Sequence, residues 1–240
     1  EANDRTLEPG DFNLTQAEHD LIENVSTIYH EQGKKVIVIL NIPAPIEVIS
    51  WRDKVDGILL AWQPGQEAGL AIADVISGAV NPSGKLTTTF PAQYEDTPTA
   101  MNFPGTPVDN PTQVIYEEDI YVGYRYYTTF GIKPAYCFGY GLSYTKFRYS
   151  NIQLNAEPTG KLKLTVDVEN TGSVAGKEIV QLYITKPTDY LESPALELCA
   201  FAKTKKLAPG ERQTLNLDVS SRELAIFDEA TSSFVISART

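Results

Sequence analysis

The sequence predicts an α/β region followed by a small all-β sandwich, and two observations carry this. Between Val36 and Phe90 three apolar runs (Val36 to Leu40, Gly57 to Ala61, Leu86 to Phe90) alternate with two segments of helical period. That alternation is the pattern of a mainly parallel sheet covered by helices. After Tyr144 the apolar period changes to two, in short runs separated by turns such as Asn170-Thr-Gly172 and Ala208-Pro-Gly210, which describes antiparallel strands. With 240 residues and a hydrophobic fraction of 42%, the chain is long enough for two domains with cores of their own.

The first helix opens at Thr15, an N-cap with Glu18 three residues on and Leu14 placed to staple. Leu21, Ile22, Val25, Ile28 and Tyr29 share one face, and Gly33 stops the helix. Val36 to Leu40 shows no alternation, as expected of a strand buried on both faces. It ends at Asn41, with Pro43 and Pro45 close behind. Ile46 to Trp51 fits a short helix and Val55 to Leu60 the next strand. Trp62-Gln-Pro-Gly-Gln-Glu67 then feeds a helix that stops near Gly78.

Loops at the carboxyl ends of parallel strands collect ligand chemistry, so Asn41 and Trp62 to Glu67 form the predicted rim. The plainer reading of the same residues is packing: Gly65 and Gly69 let helix approach sheet, and Glu67 caps the first turn. Pro91 to Pro111 reads as an extended crossing. Two aromatic tracts follow, Tyr116 to Tyr127 and Tyr136 to Tyr144. Acidic and aromatic residues interleave there, which favours a role as mortar between domains over a sugar-stacking platform. The strands expected beyond them are Phe147 to Leu154, Leu162 to Glu169, Glu178 to Thr185, Leu196 to Lys203, Thr214 to Val219 and Ser233 to Ala238. On this count the sandwich is one strand short, which leaves an edge to be covered.

A formal charge of -11, with 20 Lys and Arg scattered along the chain, excludes nucleic acid and anionic membranes as natural partners. No apolar run approaches the ~18 residues of a membrane span, so a soluble chain is expected. Glu1-Ala-Asn-Asp-Arg5 is neither basic nor apolar and is silent on compartment, cytoplasmic or secreted. Cys137 and Cys199 read as free thiols, because a chain of this size needs no disulfide framework. His19 and His30 lie in the first helix without metal-ligand spacing, and His30 suits the helix C-terminus. No phosphate loop follows a strand, and Ser83 is a turn serine rather than a nucleophile elbow.

Six ordered motifs carry a resemblance: Glu1-Ala-Asn-Asp-Arg5, Lys35-Val-Ile-Val-Ile-Leu-Asn41, Trp62-Gln-Pro-Gly-Gln-Glu67, Asn81-Pro-Ser-Gly-Lys-Leu86, Tyr121-Val-Gly-Tyr-Arg-Tyr-Tyr127 and Phe138-Gly-Tyr-Gly-Leu-Ser-Tyr144. Together they resemble the C-terminal portion of a glycoside hydrolase family 3 β-glucosidase, over essentially the whole chain. The resemblance implies a fold of α/β plus all-β type, the C-terminal half of an α/β sandwich domain followed by a fibronectin type III-like β-sandwich. The implied divisions are 1–106 for the partial α/β domain, 107–145 for a Tyr-rich linker and 146–240 for the fibronectin type III-like domain without its last strand.

It also implies that Glu1 is the general acid/base of a retaining β-glycosidase, since the family's catalytic glutamate lies in a Gly-Glu-Gly-x-Asp-Arg loop. Ala2 departs from that loop's glycine and stiffens it. A retaining glycosidase needs a second carboxylate ~5 to 5.5 Å from the first. The family carries that aspartate on a (β/α)8 barrel, to be supplied by a missing segment or a separate chain. The expected substrate is a β-glucoside or cello-oligosaccharide, hydrolysed at a terminal non-reducing β-D-glucosyl residue without metal or organic cofactor, and this chain alone is expected to be inactive. The alternative is a non-catalytic carbohydrate-binding or structural module derived from the same family.

Overall fold

In a computed structural model the chain is described over residues 8–107, 110–157, 160–189 and 191–236. It divides into two compact units. The first takes the described residues up to Ala73, with Thr87–Tyr127 and Gly131–Phe138. The second takes Asp74–Leu86, Thr128–Phe130 and the described residues from Gly139 onward. No described helix is long and apolar enough to cross a membrane, and both cysteines are free.

In the first unit, helix α1 (Gln16–Glu31) begins as its sequence dictates. Thr15 Oγ1 accepts from the Glu18 N–H and the Glu18 carboxylate accepts from Thr15 N–H at 2.8 Å, a complete capping box. Gly33, at φ +68°, ends it. Strands β1 (Ile37–Leu40) and β2 (Gly57–Leu60) pair in parallel, Ile37 against Gly57 and Leu40 against Leu60. The expectation that the first strand is buried on both faces is not met, because Leu40 is buried while Ile37 and Ile39 are 47% and 42% exposed. The described sheet has only two strands here, so one face lacks a cover, and Leu21 and Ile28 of α1 are exposed as well.

Two expected elements take other forms. Ile46 to Trp51 is not a helix: the Glu47 carboxylate accepts from Ser50 N–H at 2.7 Å and Ser50 Oγ at 2.6 Å. Such side-chain bonding competes with the helical ladder. What forms is a turn over the buried Val48 and Trp51, leading into a single 3-10 turn at Arg52–Lys54. Leu86 to Phe90 adds no strand to β1 and β2. Its backbone bonds instead to the 135–140 segment, Leu86 N–H to the Tyr140 carbonyl at 2.8 Å and Phe90 N–H to the Tyr136 carbonyl at 2.9 Å. Helix α2 (Ala68–Ile76) ends before Gly78, at φ +79°. The tyrosine tract contributes a short helix, α3 (Tyr124–Phe130), in which Tyr127 is buried.

The second unit is a β-sandwich. Strands β3 (Phe147–Ala156), β4 (Leu162–Asn170) and β7 (Arg212–Val219) form one antiparallel sheet, and β5 (Ile179–Ile184) with β6 (Glu197–Lys203) the other. Period-two alternation sends Val166, Val168, Leu215 and Leu217 inward, where Leu207, Val180, Leu182, Ala200 and Ala202 meet them. The chain then passes through a turn of helix, α4 (Ser221–Leu224), to a hairpin of β8 (Ile226–Asp228) and β9 (Ser233–Val235). The sequence pattern does not show β8, whose three residues are too few for a period. Of the last expected strand, Ser237 and Ala238 lie outside the described residues.

The Asn81-Pro-Ser-Gly-Lys-Leu86 motif belongs to this unit. The Asn81 amide donates to the Ala175 carbonyl at 3.2 Å and its Oδ1 accepts from Ser143 Oγ and Tyr144 N–H, both at 2.9 Å. Lys85 donates to the Gly141 carbonyl at 2.7 Å and pairs with Glu178 at 3.1 Å, both side chains largely buried. A Cβ on Gly176 would stand 2.6 Å from Asn81 Nδ2, so that position accepts no side chain without a shift.

Candidate functional site

The predicted rim is real as a place in the fold. The β1–β2 ladder continues one residue past the strands, Ala61 N–H donating to the Leu40 carbonyl at 2.9 Å. There Trp62 takes φ +51°. For a bulky side chain this left-handed conformation is an outlier that costs roughly 1–2 kcal/mol. The Asn41 side-chain amide holds the turn by donating to the Trp62 carbonyl, so Asn41 acts on the backbone of the rim.

Aromatic packing fixes the indole from behind. Trp62 lies against Phe90 at 6.2 Å between ring centroids, and Phe90 meets the edge of Tyr136 at 6.3 Å. The Arg52 guanidinium stacks over Tyr136 at 5.5 Å and donates to the Ala135 carbonyl at 2.9 Å. In front is an open groove of about 530 Å³, lined by the Ile42-Pro-Ala-Pro45 turn, Trp62, Gln63, Thr87 and Thr88. None of these side chains titrates. The groove offers an aromatic face, prolines, two hydroxyls and an amide, the equipment of binding rather than of proton transfer.

Glu1, Ala2, Asp4 and Arg5 lie outside the described residues. The described chain shows where the segment after them is fastened. Gly10 N–H donates to the Asn13 carbonyl at 2.7 Å, Phe12 is buried, and its ring meets Tyr94 edge-on at 5.6 Å. The Phe12 carbonyl accepts from Glu47 N–H at 2.8 Å. The loop that leaves β1 thus does two jobs, lining the groove with residues 42–45 and holding the incoming chain with Glu47.

The remaining sequence candidates separate. Gln66 and Glu67 are exposed, and Glu67 supplies its carbonyl to Ala71 N–H in the first turn of α2. His30 lies 2.8 Å from Asp56 as part of a polar cluster at the base of the sheet. Tyr124 stacks on Phe138 at 4.7 Å, while Tyr116 is 78% exposed. Thr87 and Thr88 were not distinguished by sequence, since a threonine run inside an apolar strand pattern reads as β propensity. Among the described residues no three His, Cys, Asp or Glu side chains converge as metal ligands.

Comparison with known proteins gives two family matches. Residues 1–124 match the glycosyl hydrolase family 3 C-terminal domain and residues 178–240 a fibronectin type III-like domain. The thermostable beta-glucosidase B of Acetivibrio thermocellus is 41% identical over 220 residues, covering 90% of this chain and 28% of that protein. A beta-glucosidase of Rhizobium radiobacter is 42% identical over 224 residues, covering 92% and 27%. The solved structure of beta-glucosidase 3B from Thermotoga neapolitana in complex with glucose superimposes with a TM-score of 0.90 at 56% identity, over 93% of this chain and 31% of that one. The chain therefore spans under a third of the length of these relatives.

Proposed function

We propose, from the premise that this chain belongs to glycosyl hydrolase family 3, that it is part of a retaining β-glucosidase hydrolysing terminal non-reducing β-D-glucosyl residues. Glu1 is the general acid/base: it protonates the leaving glycosidic oxygen, then takes a proton from the water that resolves the glycosyl-enzyme. The nucleophilic aspartate lies on a (β/α)8 barrel outside this sequence. The reaction is shared because each carboxyl group has a different task at one anomeric carbon. Residues 1–106 act as the partial α/β domain, 107–145 as the Tyr-rich connection and 146–240 as the fibronectin type III-like domain.

The observation that supports this reading most is the fastening of Phe12 to Glu47, seven residues after the Glu-Ala-Asn-Asp-Arg motif. A general acid must be delivered within hydrogen-bond reach of the leaving oxygen, and a buried aromatic with a backbone bond to the sheet's own loop provides an anchor a short way along the chain from it. Named β-glucosidases among the relatives support the substrate class.

The test is complementation. The purified chain is assayed on an aryl β-glucoside alone and after co-refolding with the (β/α)8 barrel of a full-length relative. Turnover only in the mixture is expected. Turnover by the chain alone overturns the shared site, and a mixture that folds but stays inactive overturns the contribution of this chain.

A further inference from the structure

We propose that residues 81–86 are a staple of the β-sandwich, a segment bound to both of its sheets, and that the sandwich holds its fold only with this upstream piece in place. Such a staple stands whether or not the chain works in a glycosidase. A sandwich can be tied by a disulfide between its sheets, but here both cysteines are free. The two sheets are also unequal. Three described strands face two, and no residue of β5 or β6 is fully buried, whereas β4 and β7 bury Val166, Val168, Leu215 and Leu217. A core closed on one side by so thin a sheet gains from a tie between the two.

Asn81 makes the tie to the first sheet. Its Oδ1 accepts from Ser143 Oγ at 2.9 Å, and that same Oγ accepts from Thr145 N–H at 3.3 Å. Thr145 Oγ1 donates to Asn170 Oδ1 at the end of β4, and the Asn170 amide donates to the carbonyl of Leu207, a fully buried core residue. An unbroken run of hydrogen bonds thus leads from Asn81 into the core, and the members of such a network support one another. Lys85 makes the tie to the second sheet. It pairs with Glu178, the residue before β5, whose carboxylate also accepts from Ile179 N–H, the first of that strand, at 2.8 Å. Between these ends the backbone is held too, Leu86 N–H donating to the Tyr140 carbonyl and Gly139 N–H to the Leu86 carbonyl, both at 2.8 Å. A Cβ on Gly141 would overlap the Gly84 carbonyl, so segments 81–86 and 139–144 run too close for a side chain between them. A loop resting on a finished sandwich would touch one sheet; this segment is anchored to both.

Hydrogen exchange, read peptide by peptide on the 240-residue chain, tests the staple. Asn81→Ala is expected to speed exchange of the β4 and β7 amides by roughly tenfold or more, the factor that follows from losing its hydrogen bonds. Exchange in α1 and β1 of the first unit is expected to keep the parental rate. Ser83→Ala, in the same segment but at a side chain that makes none of these bonds, should leave both units as in the parent. Tyr144→Phe removes only the hydroxyl that donates to the Val75 carbonyl at 2.8 Å and keeps the ring. It is expected to fold and to exchange severalfold faster in β4 and β7, and it decides the matter where Asn81→Ala does not fold. Acceleration confined to residues 139–145 in Asn81→Ala, or β4 and β7 protected as in the parent in Tyr144→Phe, overturns the staple and leaves a self-sufficient sandwich with a loop laid on it. Acceleration spread equally over α1 and β1 overturns it as well, since the bonds broken would then not belong to the sandwich alone.

Discussion

Asp56 and Lys35 form an ion pair at 2.6 Å that joins the residue before β2 to the residues leading into β1. The same carboxylate accepts from Val36 N–H at 2.9 Å and lies 2.8 Å from His30 Nε2 at the end of α1. One side chain thus ties the last turn of α1 to both strands of the sheet. Lys35 first, then the Val36 N–H and His30, hold the Asp56 carboxyl well below the usual carboxylate range.

A group whose pKa is depressed by folding stabilises the fold above its unfolded value, ~3.9 for Asp, and loses that contribution as pH falls through the folded value. Asp56→Asn is therefore expected to lower the urea midpoint of the parent at pH 7, with a difference that narrows steadily below about pH 4. Midpoints measured for both proteins at pH 7 and pH 3 check this. A gap of the same size at both values would show that the carboxylate's charge contributes nothing.

Asn170 is fully buried at the end of β4 and uses all four of its polar positions. Its Oδ1 accepts from Thr145 Oγ1 at 2.7 Å and Gly172 N–H at 3.1 Å, and its Nδ2 donates to the Val174 and Leu207 carbonyls at 2.8 and 2.9 Å. Removing the amide deletes four hydrogen bonds at once, two of them buried and two part-buried, so Asn170→Ala should cost about 2–4 kcal/mol in equilibrium unfolding. Gly172→Ala tests the same corner sterically, because its Cβ would stand 2.2 Å from Thr145 Oγ1 and 2.8 Å from Lys146 N. Both variants losing less than about 1 kcal/mol would show that the corner relaxes freely.

Lys85 and Glu178 make a second, different kind of test. Their side chains are 17% and 10% exposed, and besides each other Lys85 meets the Gly141 carbonyl and Glu178 the Ile179 N–H. Lys85→Met leaves the buried Glu178 carboxylate without its ion-pair partner and is expected to destabilise the chain by about 3–5 kcal/mol. The double variant Lys85→Met, Glu178→Leu should recover most of that loss, since an apolar pair of similar volume avoids desolvating two charges. A double-mutant cycle in urea measures the coupling, and a double variant no better than the single would refute it.

Legibility in sequence followed how local each cause is. Thr15 and Glu18, three residues apart, set the start of α1, and the period-two run through Val166 and Val168 set β4; both are visible in a short window. Ile46 to Trp51 misled because its apolar period was right while the deciding contact, Glu47 on Ser50, is a side-chain choice no periodicity reports. Leu86 to Phe90 looked like a third parallel strand, yet its partners lie about 45 to 55 residues on, at Tyr136 and Tyr140. The rim at Asn41 and Trp62 was readable from fold logic, whereas the groove was not. Its wall needs Thr87 and Thr88 brought beside Trp62, a long-range fact.

Glu1 provides the prediction that separates a general acid from a residue of mere structural weight. A group that protonates the leaving oxygen matters most when that oxygen is a poor leaving group and least when the leaving phenolate departs unaided. In the complemented enzyme Glu1→Gln should therefore lower kcat/KM for cellobiose by roughly 10²- to 10⁴-fold, the usual range for a general acid. A dinitrophenyl β-glucoside should lose far less in the first chemical step. Its glycosyl-enzyme then accumulates for want of a base, so added azide, a nucleophile that needs no deprotonation, should speed turnover and yield a β-glucosyl azide. Equal losses on both substrates with no azide product would place Glu1 outside the chemistry. The position of Phe12 predicts a companion result: Phe12→Ala loosens the segment's attachment to Glu47, so it should reduce kcat on cellobiose while the leaving-group dependence stays that of the parent.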